Sequence, residues 1–126
     1  MIQFYLAGPY TGATEAEVYR NVVTALRAAA KITEIRGWWP IVPHVSGPHC
    51  ASGEHDGSWK EAMDRCLLTV HRLTPHQDKL VLLPNWMASR GSRLEESTAR
   101  ILGIDVWTLK DALDLAVIDA EEGEDA

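Results

Sequence analysis

The residues best suited to chemistry lie together in Leu82-Leu83-Pro84-Asn85-Trp86-Met87-Ala88-Ser89-Arg90-Gly91-Ser92-Arg93-Leu94-Glu95. An apolar run stops there at Pro84-Asn85, and a helical pattern begins at Ser89 or Arg90. The first N–H groups of a helix have no partner within it, so such a turn can bind an anion. Ser89 adds a hydroxyl, Gly91 lets a ligand approach the backbone closely, and Arg90 or Arg93 can serve as counter-charge. Glu95 brings a carboxylate to the same helix. A plainer use competes with this one. Ser92 and Glu95 have the spacing of a capping box, in which Glu95 would only cap the helix.

Other candidates are individually weaker. Asp64 lies one residue off the apolar stripe of an earlier helix, a position expected beside the core face and within reach of the sheet's carboxyl edge. Tyr5 ends a short strand, where a phenol can hydrogen-bond a carboxylate or simply pack. His44, His49, Cys50, His55 and Asp56 are potential zinc ligands, but their spacing matches no tight motif and lacks paired Cys-x-x-Cys or His-x-x-x-His anchors. The reading is therefore no metal, with the 44–57 loop covering a site and Trp38, Trp39 or Trp59 available to stack on a base.

The elements that must position these residues alternate. Strands are expected over 2–6, 38–42, 79–83 and 104–107, and helices over 14–36, 58–71, 89–102 and 109–118. Thr14 with Glu17 and Ser58 with Glu61 have capping-box spacing, while Gly37 and Gly103 act as helix stops. Alternation of this kind calls for a Rossmann-like, flavodoxin-type α/β fold with a four- to five-stranded parallel sheet flanked by helices. Ligands then bind at the carboxyl ends of the strands, at 7–11, 43–46 and 84–91. The acidic end, 120–126, reads as a solvated tail after one domain over 1–119.

Composition narrows the partner. The 126 residues carry 12 Lys and Arg against 18 Asp and Glu, a net charge of −6, which disfavours nucleic acid because that binding draws on many basic contacts to phosphate. No apolar run approaches the length of a membrane span, and the start has no secretory pattern, so a cytoplasmic protein with a small-molecule ligand is expected. Two cysteines, Cys50 and Cys66, are too few for a disulfide framework.

Taken together, the motifs resemble the nucleoside 2-deoxyribosyltransferase-like family, which includes nucleoside monophosphate N-glycosidases. The resemblance runs from Tyr5-Leu6-Ala7-Gly8-Pro9-Tyr10 to Leu102-Gly103-Ile104-Asp105-Val106, by way of Asn21, Pro40, Pro43-His44-Val45-Ser46, Trp59 with Asp64, and the block from Leu83 to Glu95, its most specific part. It implies Glu95 as nucleophile, Asp64 as the contact to the leaving base and Tyr5 as the group that orients the nucleophile. Gly8, Pro9, Tyr10, His44, Trp59, Ser89, Gly91 and Arg93 are the expected substrate-binding residues.

This sequence departs from the family pattern twice. Residues 70–77 lengthen the path from Asp64 to Asp78, and Ser89 stands where the free-nucleoside transferases carry an acid. A serine at a helix N-terminus accepts phosphate where a carboxylate would repel it. The expected function is therefore cleavage or transfer at the N-glycosidic bond of a (deoxy)nucleoside 5′-monophosphate through a covalent glycosyl-Glu intermediate, without cofactor, in a homodimer or larger homo-oligomer. A non-catalytic nucleotide-binding module and a free-nucleoside 2′-deoxyribosyltransferase are the alternatives.

Overall fold

The computed structural model describes residues 1–45 and 58–119. Among them, strands and helices alternate as β1 (Gln3–Ala7), α1 (Glu15–Arg36), β2 (Trp39–Ile41), α2 (Ser58–His71), β3 (Lys79–Leu82), α3 (Arg90–Ile101), β4 (Asp105–Thr108) and α4 (Leu109–Leu113), with a 3-10 turn at Trp86–Ala88 leading into α3. Every strand pairing is parallel, and the sheet order is β2-β1-β3-β4. This is the flavodoxin-like order, and β1 and β3 are the neighbours between which the winding reverses. At that point a crevice opens beyond the carboxyl ends of the two strands, where the chain leaves the sheet at Gly8 and Leu83.

Strand alternation decides which side chains see which helices. Phe4, Leu6, Val81 and Leu83 pack with Ala25, Ala28, Ala29 and Ile32 of α1 on one face. Tyr5, Ala7, Leu80 and Leu82 pack on the other face with Val70 of α2, Leu73 and Ala99 of α3. Tyr5 is thereby committed to the side of the sheet that carries α2 and α3.

The capping box that opens α1 forms as its residues require. Thr14 accepts from the Glu17 N–H at 3.2 Å, while the Glu17 carboxylate accepts from the Ala13 N–H at 2.7 Å. Gly37 closes the helix with φ of 72°, left-handed backbone that a side chain would strain.

The last helix is shorter than its sequence pattern predicts, ending at Leu113 and not at Ile118. Arg36 is the physical reason. Its guanidinium donates to the carbonyl oxygens of Asp111, Ala112, Asp114 and Val117 at 2.7–3.0 Å, and a longer helix would need most of those acceptors for its own N–H groups. The same guanidinium lies over the rings of Trp107 and Trp38, at 5.0 and 5.6 Å from their centroids.

At the amino edge of the sheet, away from the crevice, Asp78 holds the longer 72–78 connection by accepting from the N–H groups of Thr74 and Gln3. Lys79 is fully buried there and pairs with Asp105 and Asp119. The expected tail at 120–126, and most of the expected 44–57 loop, lie outside the described residues. Among the described residues no helix is long and apolar enough to cross a membrane.

Candidate functional site

Ser89, and not Ser92, is the residue that caps α3: its backbone is extended and its hydroxyl accepts from the Ser92 N–H at 3.2 Å. This shifts the predicted box by one turn, puts Ser92 inside the first turn, and leaves Glu95 with no capping duty. Glu95 instead turns into the protein, where it is 5% exposed and its carboxyl accepts a hydrogen bond from the Tyr5 hydroxyl. The pairing follows from the layout, because β1 presents Tyr5 to the face that α3 covers.

Burial dominates the electrostatics. It pushes the Glu95 carboxyl up to about 8, although the Tyr5 hydrogen bond pulls the other way by favouring the ionised form. Burial, and then the charge of Glu95, hold the Tyr5 phenol well above its ordinary value. Cys66 of α2 joins the pair: burial pushes its thiol up, while a hydrogen bond with Tyr5 opposes the shift. In the resting protein at neutral pH, three protonated groups thus converge on one point, and the carboxyl is the one whose proton leaves first.

A cavity of about 440 Å³ opens above them. Its walls come from Gly8, Tyr10 and Thr11 after β1, Pro43 and His44 after β2, one face of α2, and the turn from Ala88 to Arg93 with Glu95. Two close approaches shape it. A Cβ on Gly8 would lie 2.3 Å from Leu83 Cδ1 and 2.8 Å from Leu83 Cβ, so glycine is what lets β1 meet the β3 loop, while one on Gly91 would meet the flexible end of Met63 at Sδ, 2.8 Å away. Arg90 stacks over Trp59 at 4.6 Å, and Arg93 donates to the Met87 carbonyl at 2.8 Å, which brings two cations to the N-terminal end of α3.

Of the residues expected from sequence, Gly8, Tyr10, His44, Trp59, Ser89, Gly91, Arg93 and Glu95 all line this cavity. Tyr5 lies beneath it, fully buried against Glu95. Pro9 does not line it; its carbonyl oxygen accepts from the His44 ring nitrogen Nε2 at 3.0 Å and so fixes the imidazole in the wall. Asp64 is not brought to the site. Its side chain is 62% exposed and pairs with Lys60, one turn back on α2, at 3.0 Å. Helical spacing explains the difference: Trp59, Ala62, Met63 and Cys66 form the stripe facing the cavity, and at about 100° per residue Asp64 falls on nearly the opposite side.

Cys66, Met63 and Ser92 are wall residues that sequence reasoning missed. The first two read as core, because an apolar helical stripe looks the same whether it meets a core or a cavity. Among the described residues no group of three His, Cys, Asp or Glu could hold a metal ion, and His49, Cys50, His55 and Asp56 lie outside them.

A family model described as Domain of unknown function (DUF4406) matches residues 2–108, a span that includes every residue lining the cavity. No curated protein and no solved structure matches the chain.

Proposed function

The chain belongs to the DUF4406 family, and from the site within the family's span we propose that it breaks the N-glycosidic bond of a nucleoside 5′-monophosphate, passing the sugar to water or to a second base. The observation that carries this reading is the Tyr5–Glu95 pair, a buried carboxyl oriented by a phenol at the wall of a cavity, less than two turns from a helix N-terminus. Retaining glycosyl chemistry asks for such a carboxylate at the anomeric carbon. The resemblance noted from the sequence supports the same assignment.

In this reaction the ionised Glu95 attacks C1′, the C–N bond breaks, and the base departs with the bonding electrons and takes up a proton from water. Water or the nitrogen of a second base then attacks C1′, releases the Glu95 carboxylate and leaves the configuration retained. Ser89, the free N–H groups of α3, Arg90 and Arg93 favour an anion at the 5′ end. This chemistry calls for neither a redox cofactor nor a metal. The acting form is expected to be at least a homodimer in the cytoplasm, and analytical ultracentrifugation checks the assembly.

A second reading, a nucleotide-binding module without turnover, draws support from Asp64, whose place in solvent leaves the departing base without the expected acid. One experiment separates the readings: incubation with a panel of nucleosides and 5′-monophosphates, with and without a second base, followed by chromatography. Free or exchanged base from the monophosphates supports the enzyme, and binding without products supports the module. Preference for free nucleosides would favour a free-nucleoside 2′-deoxyribosyltransferase.

A further inference from the structure

Ser92 is 1% exposed and lines the cavity, yet its hydroxyl has no hydrogen-bond partner among the described residues. A serine in a helix can point its hydroxyl to solvent or return it to a backbone carbonyl one turn back, and Ser92 does neither. An unmet buried hydroxyl is destabilising and calls for an explanation. Its own N–H is already engaged by Ser89, so the free group is the side-chain oxygen, which can both donate and accept.

Position defines what it would meet. Ser89, Ser92 and Glu95 follow at three-residue intervals along the side of α3 that faces the cavity. Ser92 therefore stands between the anion-binding end of the helix and the carboxyl. A group bound there must tolerate the ionised Glu95 one turn away, which disfavours a second anion and suits a neutral hydroxyl. It should also use the donor and the acceptor of Ser92 together, as another hydroxyl does.

We propose that Ser92 is the sugar-recognition residue of this cavity, hydrogen-bonding a ring hydroxyl of a pentose 5-phosphate moiety whose phosphate sits at Ser89 and whose anomeric carbon faces Glu95. The assignment rests on the proposed function for the identity of the ligand, but it concerns binding and can be tested without turnover.

The test is calorimetric titration of the full chain with inorganic phosphate, ribose 5-phosphate and 2-deoxyribose 5-phosphate, on wild type, Ser92→Ala and Ser89→Ala, with free-base release from 5′-monophosphates assayed alongside. The expected result is that wild type binds at least one sugar phosphate more tightly than phosphate, and that Ser92→Ala weakens that binding by roughly five- to ten-fold, the worth of one hydrogen bond, while phosphate affinity changes less than about two-fold. Ser89→Ala should weaken all the ligands it binds. Ser92→Ala should melt no lower than wild type, since it removes an unmet hydroxyl.

Equal affinity of Ser92→Ala and wild type for the sugar phosphates overturns the proposal. So does a parallel loss for phosphate, or a wild type that binds sugar phosphate no better than phosphate. If the sugar-specific loss appears but no base is ever released, the sugar contact stands and the glycosidic reading fails. If base is released and Ser92→Ala has an unchanged KM, the reading stands and the sugar contact fails.

Discussion

The hydroxyl of Tyr5 donates to the carboxyl of Glu95 across 90 positions of sequence, inside the protein and at the wall of its cavity. The parallel pairing of β1 with β3 makes this possible, because it sets Tyr5 beside the strand that feeds α3. Burial holds the carboxyl above its ordinary range, and the bond opposes it in part by favouring the ionised form. Tyr5→Phe is therefore expected to raise the Glu95 value further above about 8 and to leave less nucleophile at neutral pH. A lost hydrogen bond to a charged group predicts a fall in kcat/KM at pH 7 of about ten- to hundred-fold. Because kcat/KM follows the free enzyme, its rise with pH should be centred near 8 in wild type and higher in the variant. A pH–rate profile of both proteins checks this.

Glu95 should also weaken the fold as pH rises. The unfolded chain loses this proton near the ordinary value of 4.5, and the folded chain holds it until about 8. Between those values the folded state binds more protons, so stability declines through the window and levels off above it. The effect is on the order of 3 kcal/mol by pH 7. Glu95→Gln carries no such charge and is expected to melt above wild type at pH 8, with the gap closing toward pH 4.5. Thermal melts across that range measure it.

Gly8→Ala is expected to damage the fold and the cavity together. The added Cβ would stand 2.3 Å from Leu83 Cδ1 and 2.8 Å from Leu83 Cβ, and Leu83 is buried with its Cβ fixed to the backbone. Overpacking of this kind costs roughly 1–3 kcal/mol. Urea denaturation should register the loss, and ligand affinity should fall with it.

Asp64 and Cys66 of α2 should separate cleanly. Asp64→Asn is expected to leave turnover within about two-fold, since an exposed ion pair on a helix is worth only a few tenths of a kcal/mol. Cys66→Ala removes the thiol that touches Tyr5 at the cavity wall, and it should lower kcat more than Asp64→Asn does. Parallel kinetics of the two variants decide the matter.

These contrasts mark what the sequence made legible. The strand–helix alternation, the Thr14–Glu17 box and the Gly37 stop were readable because each depends on neighbouring residues alone. The glycines and Ser89 could be placed at the crevice because parallel sheets present ligands there. Other features depend on distant partners. The early end of α4 is set by Arg36, more than 70 positions away. For Glu95 the local spacing allows a cap as well as the nucleophile that the resemblance implies, and the contact with Tyr5, 90 positions away, is what local spacing cannot show. For Asp64, a one-residue offset from the apolar stripe suggests nearness to the site, whereas the helix turns it to solvent.

The most direct test of the central assignment is a single-turnover incubation of wild type and Glu95→Gln with a 5′-monophosphate that wild type uses, followed by quantification of free base. Wild type is expected to release base, and Glu95→Gln to lose at least about 10³-fold while its fold remains intact by thermal melt. Release by Glu95→Gln within a few-fold of wild type would contradict it, as would the absence of free base from wild type with every monophosphate offered.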